Sequence, residues 1–489
     1  MDRTHRNAIE LLNQRRRPAR TSKKLTITYT GLETMPGMKG RSDMRGTPSI
    51  VGIKQVQASD IDKLNVIHVA GTKGKGSTCA FIDAFLLCHS ARSGYPRKTG
   101  LYTSPHLIVP EERIRINMEP LKRDVFAKYF FEVFDTLSKQ DPDAFESTPR
   151  RLQLFLLVAI HTFIREGVDA TIIETHHGGE YDASTVIERP VVTAITSLGM
   201  DHINQLGPSL EDIAWHKAGI FKPSATAFSV VEEASVTKVL QDRAVEKGAD
   251  LKFVDLDPSL PQGEIYLKPD VQRLNFSLAL AVVRSFIGRR ASTSKESSLH
   301  SDDILRGIRR FSWPGRIQIV IEHNNQWFLD GAHNEMSVEI AGKWFMKAST
   351  AQRPDRIPRN LIFGHVSKQR DAVDVIRSLA ASFRPDAISN AIYTMYNPVQ
   401  DFETATDATH TQSTALALQE ISEIWLARHP RSKILFATDV PQALALAKEV
   451  GEIDGGMQTL VTGSLHLVGA ALFCLGDWSK VAQVDLCQL

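Results

Sequence analysis

The sequence predicts an α/β protein with two domains, each containing a parallel sheet. Strand-like segments alternate with helical segments along the chain, as in proteins built on parallel sheets. A glycine-rich turn joins the first regular strand to its helix, and a Pro-Gly pair at 314–315 separates two such series. The 489 residues suffice for two large domains. We expect a basic N-terminal segment at 1–60, a central domain at 61–312 and a smaller C-terminal domain at 317–489.

The N-terminal segment is strongly basic. Within residues 1–24, eight Lys or Arg and two acidic residues give a net charge of +6. A short helix is expected at 8–14, and the segment as a whole is typical of a solvated, mobile tail. A mitochondrial presequence is the alternative, which Asp2 and Glu10 weaken.

Regular structure is expected from Leu64 onward. Residues 64–69 have the pattern of a buried strand, a helix follows at about 77–88, and further strands are expected at 170–174 and 191–197. After the Pro-Gly pair, six strands are expected at 317–322, 326–329, 360–363, 387–394, 434–437 and 459–462. Helical segments lie between several of them, which again favours a parallel sheet.

Composition excludes several classes of protein. Hydrophobic residues at 42% and charged residues at 23% are ordinary for a globular protein and argue against disorder, collagen and coiled coil. The net charge of +2 gives no reason to expect nucleic acid. The longest apolar run, 152–164, is too short to span a membrane. Cys79, Cys88, Cys474 and Cys487 form no CxxC pair, so we expect a reduced intracellular protein without disulfides or a zinc site.

The segment 70–78 carries the clearest chemical signal. Its glycines follow a strand and open a helix, so backbone amides and the helix dipole can hold phosphate oxygens. Lys75 supplies a cation. The strict pattern G-x-x-x-x-G-K-[ST] fails because Val69 occupies its first glycine position and Gly76 follows the lysine. A plain glycine turn is the alternative, but the strand and helix around it favour phosphate binding.

Polar residues also follow other predicted strands. Glu174 ends a buried strand, where open parallel sheets bind ligands, and a carboxylate there suits magnesium. Ser104 and His202 lie in loops and offer a hydroxyl and an imidazole. Alternatively, Glu174 caps or forms a salt bridge, Ser104 is solvated and His202 is a satisfied polar residue. In the second domain, Arg316 and Asp330 either bind a nucleotide or form a turn and a strand end, and His333 follows them closely.

Ordered motifs lie in both halves of the chain, at 65–77, 103–107, 197–202, 213–215, 313–316, 329–333 and 461–469. Together they resemble folylpolyglutamate synthases, of the Mur ligase superfamily, from about residue 60 to 475. The resemblance implies a Mur-ligase-like fold, with an N-terminal P-loop ATPase domain and a smaller Rossmann-like C-terminal domain. It also implies that ATP phosphorylates the γ-carboxylate of a folate glutamate chain and that L-glutamate then attacks the acyl phosphate.

The resemblance further implies roles for individual residues. Ser104, Glu174 and His202 match magnesium ligands, and Lys217 matches a lysine that family members can carry as a carbamate beside a second metal ion. Lys75, Lys217 and His333 are thereby expected to be catalytic. ATP and Mg²⁺ are the expected cofactors, with a second magnesium ion or potassium left open. The residues expected to bind ATP are Lys73, Gly74, Lys75, Gly76, Ser77, Asn275, Arg316 and Asp330.

The chain departs from the family pattern on the side of the acceptor. His176 and His177 stand where glycine and isoleucine are usual, and Pro-Arg-Arg at 149–151 replaces an aromatic-rich helix start. Because adjacent residues of an extended strand face opposite sides, we expect His176 to face the site and His177 to pack away.

Three interpretations of function remain open. The leading one is a folate ligase that uses folate polyglutamate, L-glutamate and ATP and is a monomer in the cytoplasm, with a mitochondrial location as the alternative. The second keeps the ligase chemistry with a different acid or amine. The third is a nucleotide-binding pseudoenzyme.

Overall fold

The computed structural model describes residues 2–15, 58–140, 149–223, 225–261, 270–290, 298–352, 357–365, 372–394 and 411–476. The chain divides into two compact units, Met1–Phe311 and Ser312–Leu489, and the division falls shortly before the Pro-Gly pair at 314–315. Most of the expected basic tail, from 16 to 57, lies outside the described residues.

The first unit contains an eight-stranded sheet in the order β4-β3-β2-β5-β1-β6-β7-β8. The six strands from β2 to β8 in this order are parallel, whereas β3 and β4 form an antiparallel extension at one edge. The carboxyl ends of β2, β5, β1 and β6 are therefore consecutive along one edge. The strands are β1 Val66–Ala70, β2 Thr99–Tyr102, β3 Ile114–Ile116, β4 Glu119–Pro120, β5 Ala170–Glu174, β6 Val192–Ile195, β7 Thr226–Val230 and β8 Asp250–Val254.

Ten α-helices of the first unit lie within the described residues. Helix α3 is buried along most of its length, and its Phe81 and Phe85 pack against Phe276 of α9 at ring-centroid distances of 4.8 Å each. This packing anchors the helix that opens at the glycine-rich turn. The helices are α1 His5–Gln14, α2 Ala58–Lys63, α3 Lys75–Ser93, α4 Arg123–Gln140, α5 Arg151–Arg165, α6 Ile203–Leu206, α7 Leu210–Lys217, α8 Ala234–Lys247, α9 Asp270–Arg290 and α10 Ser301–Arg310.

The N-terminal helix α1 differs from the solvated tail that we expected. Ala8 and Leu12 are 0% and 1% exposed and belong to the same apolar cluster as residues of α4 and α5. His5 pairs with the buried carboxylate of Glu111. The amphipathic spacing of Ala8 and Leu12 explains the result, because one helix face is apolar despite the basic charge around it.

The second unit contains a six-stranded sheet in the order β13-β12-β11-β14-β10-β9, in which only β9 is antiparallel to its neighbour. Phe328, Phe345, Phe383 and Trp425 belong to its core. The strands are β9 Gln318–Glu322, β10 Asn325–Leu329, β11 Arg359–Phe363, β12 Asn390–Thr394, β13 Lys433–Ala437 and β14 Met457–Thr462. The helices are α11 Glu335–Gln352, α12 Ala372–Ala381, α13 Thr411–Arg428, α14 Val440–Asp454 and α15 Leu465–Cys474.

The predicted fold class is confirmed, with two α/β units built on largely parallel sheets. The sequence-based prediction missed β2, β4, β7 and β8, and it began β12 three residues early. Within the described ranges, no helix combines the length and apolar character that crossing a membrane requires. Cys79, Cys88 and Cys474 are free thiols, and Cys487 lies outside the described residues.

Candidate active site

The glycine-rich turn has the geometry of a phosphate-binding loop. Strand β1 is wholly buried and leads into Gly71, where a Cβ atom would fall 1.9 Å from Oγ1 of Thr196. Gly74 is the N-cap of α3 with a φ of 85°, a conformation that favours glycine. Lacking a side chain, it leaves the amides of the first helical turn to an external acceptor. These amides and the helix dipole favour an anion at this point.

Two lysines of the loop point their ammonium groups in different directions. Nζ of Lys75 donates to the carbonyl of Gly71 at 3.1 Å and lies 3.8 Å from Oε1 of Glu174. Nζ of Lys73 donates to Oδ2 of Asp201 at 3.1 Å. Lys75 is thus held at the mouth of the loop beside a carboxylate, whereas Lys73 is tied to the loop after β6.

Glu174 and Ser104, two of the expected magnesium ligands, are brought together. Glu174 ends β5, is 4% exposed, and accepts the backbone N–H of Ser104 on Oε2 at 3.0 Å. This contact exists because β2 and β5 are neighbours in the sheet.

The donor set suits magnesium rather than a metal held by protein side chains alone. Among the described residues, no three His, Cys, Asp or Glu side chains converge on one point. Magnesium commonly takes one or two carboxylates and completes its shell with water and substrate phosphate oxygens. Glu174 beside the phosphate loop, with the Ser104 hydroxyl in the adjacent segment, fits that pattern.

The two histidines after Glu174 do not lie as the alternation rule predicted. The ring of His177 contacts the ring of His202, the third expected magnesium ligand, edge to face at a centroid distance of 4.6 Å. His176 is 9% exposed, and its Nε2 lies 2.7 Å from the hydroxyl of Tyr102. The expected orientation is wrong because β5 ends at Glu174, so the following residues form a turn and do not alternate.

Lys217 lies at the end of α7, deep in the same region. It is 2% exposed, and its Nζ donates to the carbonyl of Gly71 at 2.7 Å and to that of His177 at 3.4 Å. Burial, and next the nearby charge of Lys75, lower the pKa of the Lys217 ammonium well below its ordinary value. A neutral amine is the form that reacts with carbon dioxide to give a carbamate.

Asn275, expected to contact the nucleotide, lies directly against the phosphate loop. It is 7% exposed on α9, and a Cβ atom on Gly74 would fall 2.2 Å from its Oδ1. Its Nδ2 donates to Oε1 of Gln272 at 3.3 Å, which helps to fix the amide. The loop therefore fits this asparagine only with glycine at position 74.

In the second unit, Asp330, Arg316 and His333 come together where β10 ends. The carboxylate of Asp330 accepts the backbone N–H groups of Ile317 and Ala332, both at 2.9 Å. A Cβ atom on Gly331 would fall 2.2 Å from Nη1 of Arg316. Nδ1 of His333 lies 2.8 Å from the carbonyl oxygen of Gly331. Asp330 thus holds the turn in shape, in addition to any contact with a ligand.

Sequence reasoning missed His365, which follows the neighbouring strand β11. Its Nδ1 lies 2.8 Å from the carbonyl oxygen of Gly463, just after β14. Because β11, β14 and β10 are adjacent and parallel, this imidazole lies on the same sheet edge as Asp330. The sequence did offer a signal for His365, because its imidazole follows the strand predicted at 360–363 by two residues.

Sequence reasoning also missed Asp182, the centre of a buried polar network. Its carboxylate accepts the amides of His176 at 2.9 Å and His177 at 3.1 Å, and the hydroxyl of Ser184 at 2.7 Å. The same hydroxyl lies 2.8 Å from Nε2 of His68. Burial alone would raise the pKa of the Asp182 carboxyl, yet the His176 ring and hydrogen bonds from His176 and Ser184 hold that pKa well below its usual range.

Two arginine side chains lie over the buried ring of Phe155 in the first turns of α5. The guanidinium carbons of Arg113 and Arg151 lie 4.8 and 5.5 Å from the ring centroid of Phe155. Nε of Arg113 donates to Nδ1 of His106 at 2.9 Å. Arginine stacking thus occupies the place where the family usually has an aromatic-rich helix start.

Comparisons with known proteins identify relatives of this chain. Residues 316–474 match the family described as dihydrofolate synthetase, C-terminal domain. A folylpolyglutamate synthase of Neurospora crassa is 35% identical over 491 residues, covering 96% of this chain and 91% of the relative. A human protein named folylpolyglutamate synthase, mitochondrial, is 35% identical over 348 residues, covering 66% of this chain and 58% of its own.

A solved structure shares the fold. Mycobacterium tuberculosis folylpolyglutamate synthase complexed with ADP has a TM-score of 0.70 at 21% identity, covering 97% of this chain and 98% of that one. With 35% identity to the Neurospora crassa relative over almost its whole length, the chain belongs to the folylpolyglutamate synthase family, whose two-domain Mur ligase fold it shares.

Proposed function

We propose that this protein is an ATP-dependent ligase that adds L-glutamate to the γ-carboxylate of a (tetrahydro)folyl-polyglutamate and releases ADP and phosphate. The observation that carries the proposal is the position of Lys75 in the phosphate loop, 3.8 Å from Glu174 at the end of the neighbouring strand β5. Phosphoryl transfer depends on such fixed charge and alignment more than on covalent help from the protein.

The proposed reaction has two steps. In the first, the loop amides and Lys75 hold the phosphates of ATP while the acceptor carboxylate attacks the γ-phosphorus, giving an acyl phosphate and ADP. In the second, the amino group of L-glutamate attacks the acyl carbon, the amide bond forms, and phosphate leaves. Nucleophilic attack requires the amine to lose a proton, and His333 is the imidazole that we assign to that part of the site.

Magnesium would be held by Glu174, Ser104 and His202, and it supplies neutralisation of phosphate charge when bound with ATP. A carbamate on Lys217 would add a carboxylate for a second ion, and potassium is the alternative occupant there. The burial of Lys217 supports this role, because burial lowers the pKa of its ammonium and only the neutral amine reacts with carbon dioxide.

Arg316 and Asp330 are assigned to the nucleotide from the second unit, and Asn275 from the first. Local geometry supports these assignments. Arg316 lies beside Gly331, next to Asp330, and Asn275 of α9 packs against Gly74 of the phosphate loop.

A second acceptor is favoured by the match of 316–474 to the dihydrofolate synthetase family. Such an enzyme joins L-glutamate to a pteroate carboxylate that carries no glutamate. The same phosphate loop serves both reactions because a carboxylate is phosphorylated in each.

Mass spectrometry of products separates these functions. The purified protein is incubated with ATP, Mg²⁺, L-glutamate and, separately, dihydropteroate, a reduced folate monoglutamate or a reduced folate diglutamate, with Lys75→Ala as the inactive control. Glutamate addition to the folates supports the proposal, and addition only to dihydropteroate supports the second function. ADP release only when a different acid is supplied would indicate a non-folate acceptor, and nucleotide binding without turnover would indicate a pseudoenzyme.

We further propose a monomer located in the cytoplasm, with the mitochondrial matrix as the alternative suggested by the name of the human relative. Fractionation of cells expressing the untagged chain tests the location.

A further inference from the structure

The buried ring of His176 connects two segments that carry different parts of the active site. Its Nε2 lies 2.7 Å from the hydroxyl of Tyr102, the last residue of β2. Its Nδ1 lies 3.2 Å from Oδ1 of Asp182, in the turn after β5. Tyr102 is 0% and Asp182 7% exposed, so water has little access to these contacts.

The donor and acceptor roles follow from chemistry. An ionised carboxylate only accepts hydrogen bonds, so Nδ1 carries the proton that faces Asp182. In the neutral ring, Nε2 is then the lone-pair nitrogen and accepts the O–H of Tyr102. Asp182 fixes the backbone on the other side, because it also accepts the amides of His176 and His177.

The bridge spans the two segments that hold Glu174 and Ser104. Ser104 follows Tyr102 by two residues, and Glu174 precedes His176 by two. Between them, the backbone N–H of Ser104 donates to Oε2 of Glu174 at 3.0 Å, which directs Oε1 toward Lys75. Any change in the spacing of the two segments alters the direction of this carboxylate.

We propose that His176 is a positioning residue that sets the distance between the Ser104 segment and Glu174 through its hydrogen bond to Tyr102. This inference rests on the proposed role of Glu174 and Ser104 in holding a divalent cation with the nucleotide. Residues that orient metal ligands typically change metal affinity by about 10- to 100-fold when altered.

Two substitutions at position 176 separate its hydrogen bond to Tyr102 from its contact with Asp182. In His176→Gln, the terminal amide lies near the position of Nε2 and retains a partner for Tyr102. In His176→Asn, the shorter amide lies near the position of Nδ1, reaches Asp182 and loses Tyr102. Tyr102→Phe removes only the hydroxyl, so it tests the same bond even if a change at 176 impairs folding. The control is His161→Asn, because His161 is also buried but pairs with Glu132 between α4 and α5 at 2.7 Å.

The readout is the affinity for Mn²⁺ in the presence of ADP, measured by electron paramagnetic resonance, together with thermal unfolding without ligand. We expect about 10-fold weaker Mn²⁺ binding in His176→Asn and Tyr102→Phe, and less than about 3-fold in His176→Gln and His161→Asn. The double variant His176→Asn/Tyr102→Phe should bind Mn²⁺ no more weakly than either single variant, because each of the three loses the same hydrogen bond between positions 102 and 176.

Unchanged Mn²⁺ affinity in His176→Asn and Tyr102→Phe with lowered unfolding temperatures would overturn the inference and leave a structural role only. Equal losses in His176→Gln and His176→Asn would overturn it as well. If the expected pattern appears but no acceptor is glutamylated, the inference stands and the proposed function fails.

Discussion

Gly74→Ala tests whether the contact between the phosphate loop and α9 controls nucleotide binding. Gly74 has a φ of 85°, and a left-handed conformation costs an L-residue about 1–2 kcal/mol. The new Cβ would also fall 2.2 Å from Oδ1 of Asn275, and overpacking that forces neighbouring atoms to shift lowers stability by about 1–3 kcal/mol. Because about 1.4 kcal/mol is tenfold in an equilibrium constant, we expect the KM for ATP to rise about 10-fold or more.

The assay is ADP release as a function of ATP at saturating acceptor and glutamate, with thermal unfolding in parallel. The matched control is Gly94→Ala, at the other end of the same helix. Gly94 has a φ of 78°, and no heavy atom of the described residues lies within 4 Å of the position that a Cβ would take there. It should lose stability but keep the KM for ATP. Adding Asn275→Ala to Gly74→Ala should restore stability in part, since only the backbone strain remains. Equal KM values in Gly74→Ala and Gly94→Ala would refute the reasoning.

Three further substitutions test other parts of the molecule. Lys75→Ala should lower kcat by about 10²-fold or more, measured by product formation, because the transferred phosphoryl group loses a fixed cation; near-normal turnover would contradict the phosphate-loop assignment. Asp330→Ala should raise the KM for ATP and lower the stability of the second unit by about 1–3 kcal/mol in denaturant unfolding, because buried amides lose their acceptor; an effect on acceptor KM alone would contradict the nucleotide assignment. Leu12→Ala should destabilise the protein by about 2–5 kcal/mol, whereas a solvated helix would show almost no change.

The alternation of strands and helices was sufficient to predict two α/β units, but strand order was not accessible. Neither local pattern nor spacing indicates that β5 lies between β2 and β1. Strands β7 and β8 were missed, although Thr226–Val230 is wholly buried. Strand β7 contains Thr226 and Ser229, and β8 contains Asp250 and Lys252, so neither has the continuous apolar run by which buried strands are recognised.

Prediction from the sequence brought candidate groups together where a residue type and a strand end coincide. Glu174 and the loop around Lys75 are of this kind, and the structure places them 3.8 Å apart. It failed where the partner is remote in sequence, as for the bond between Tyr102 and His176 across 74 positions. The orientation of His177 was mispredicted because the end of β5 removed the alternation on which the prediction relied.

The parallel sheet of the first unit also offers places to attach a label. Gly94, Gly167 and Gly248 are exposed and precede β2, β5 and β8, so they lie at the edge of the sheet opposite the carboxyl ends that carry the candidate site. A five-residue strand is about 17 Å long, which separates the two edges. A fluorophore or affinity tag inserted at Gly167 would therefore report on the protein without entering the nucleotide site, and exposed turns of this kind tolerate insertion.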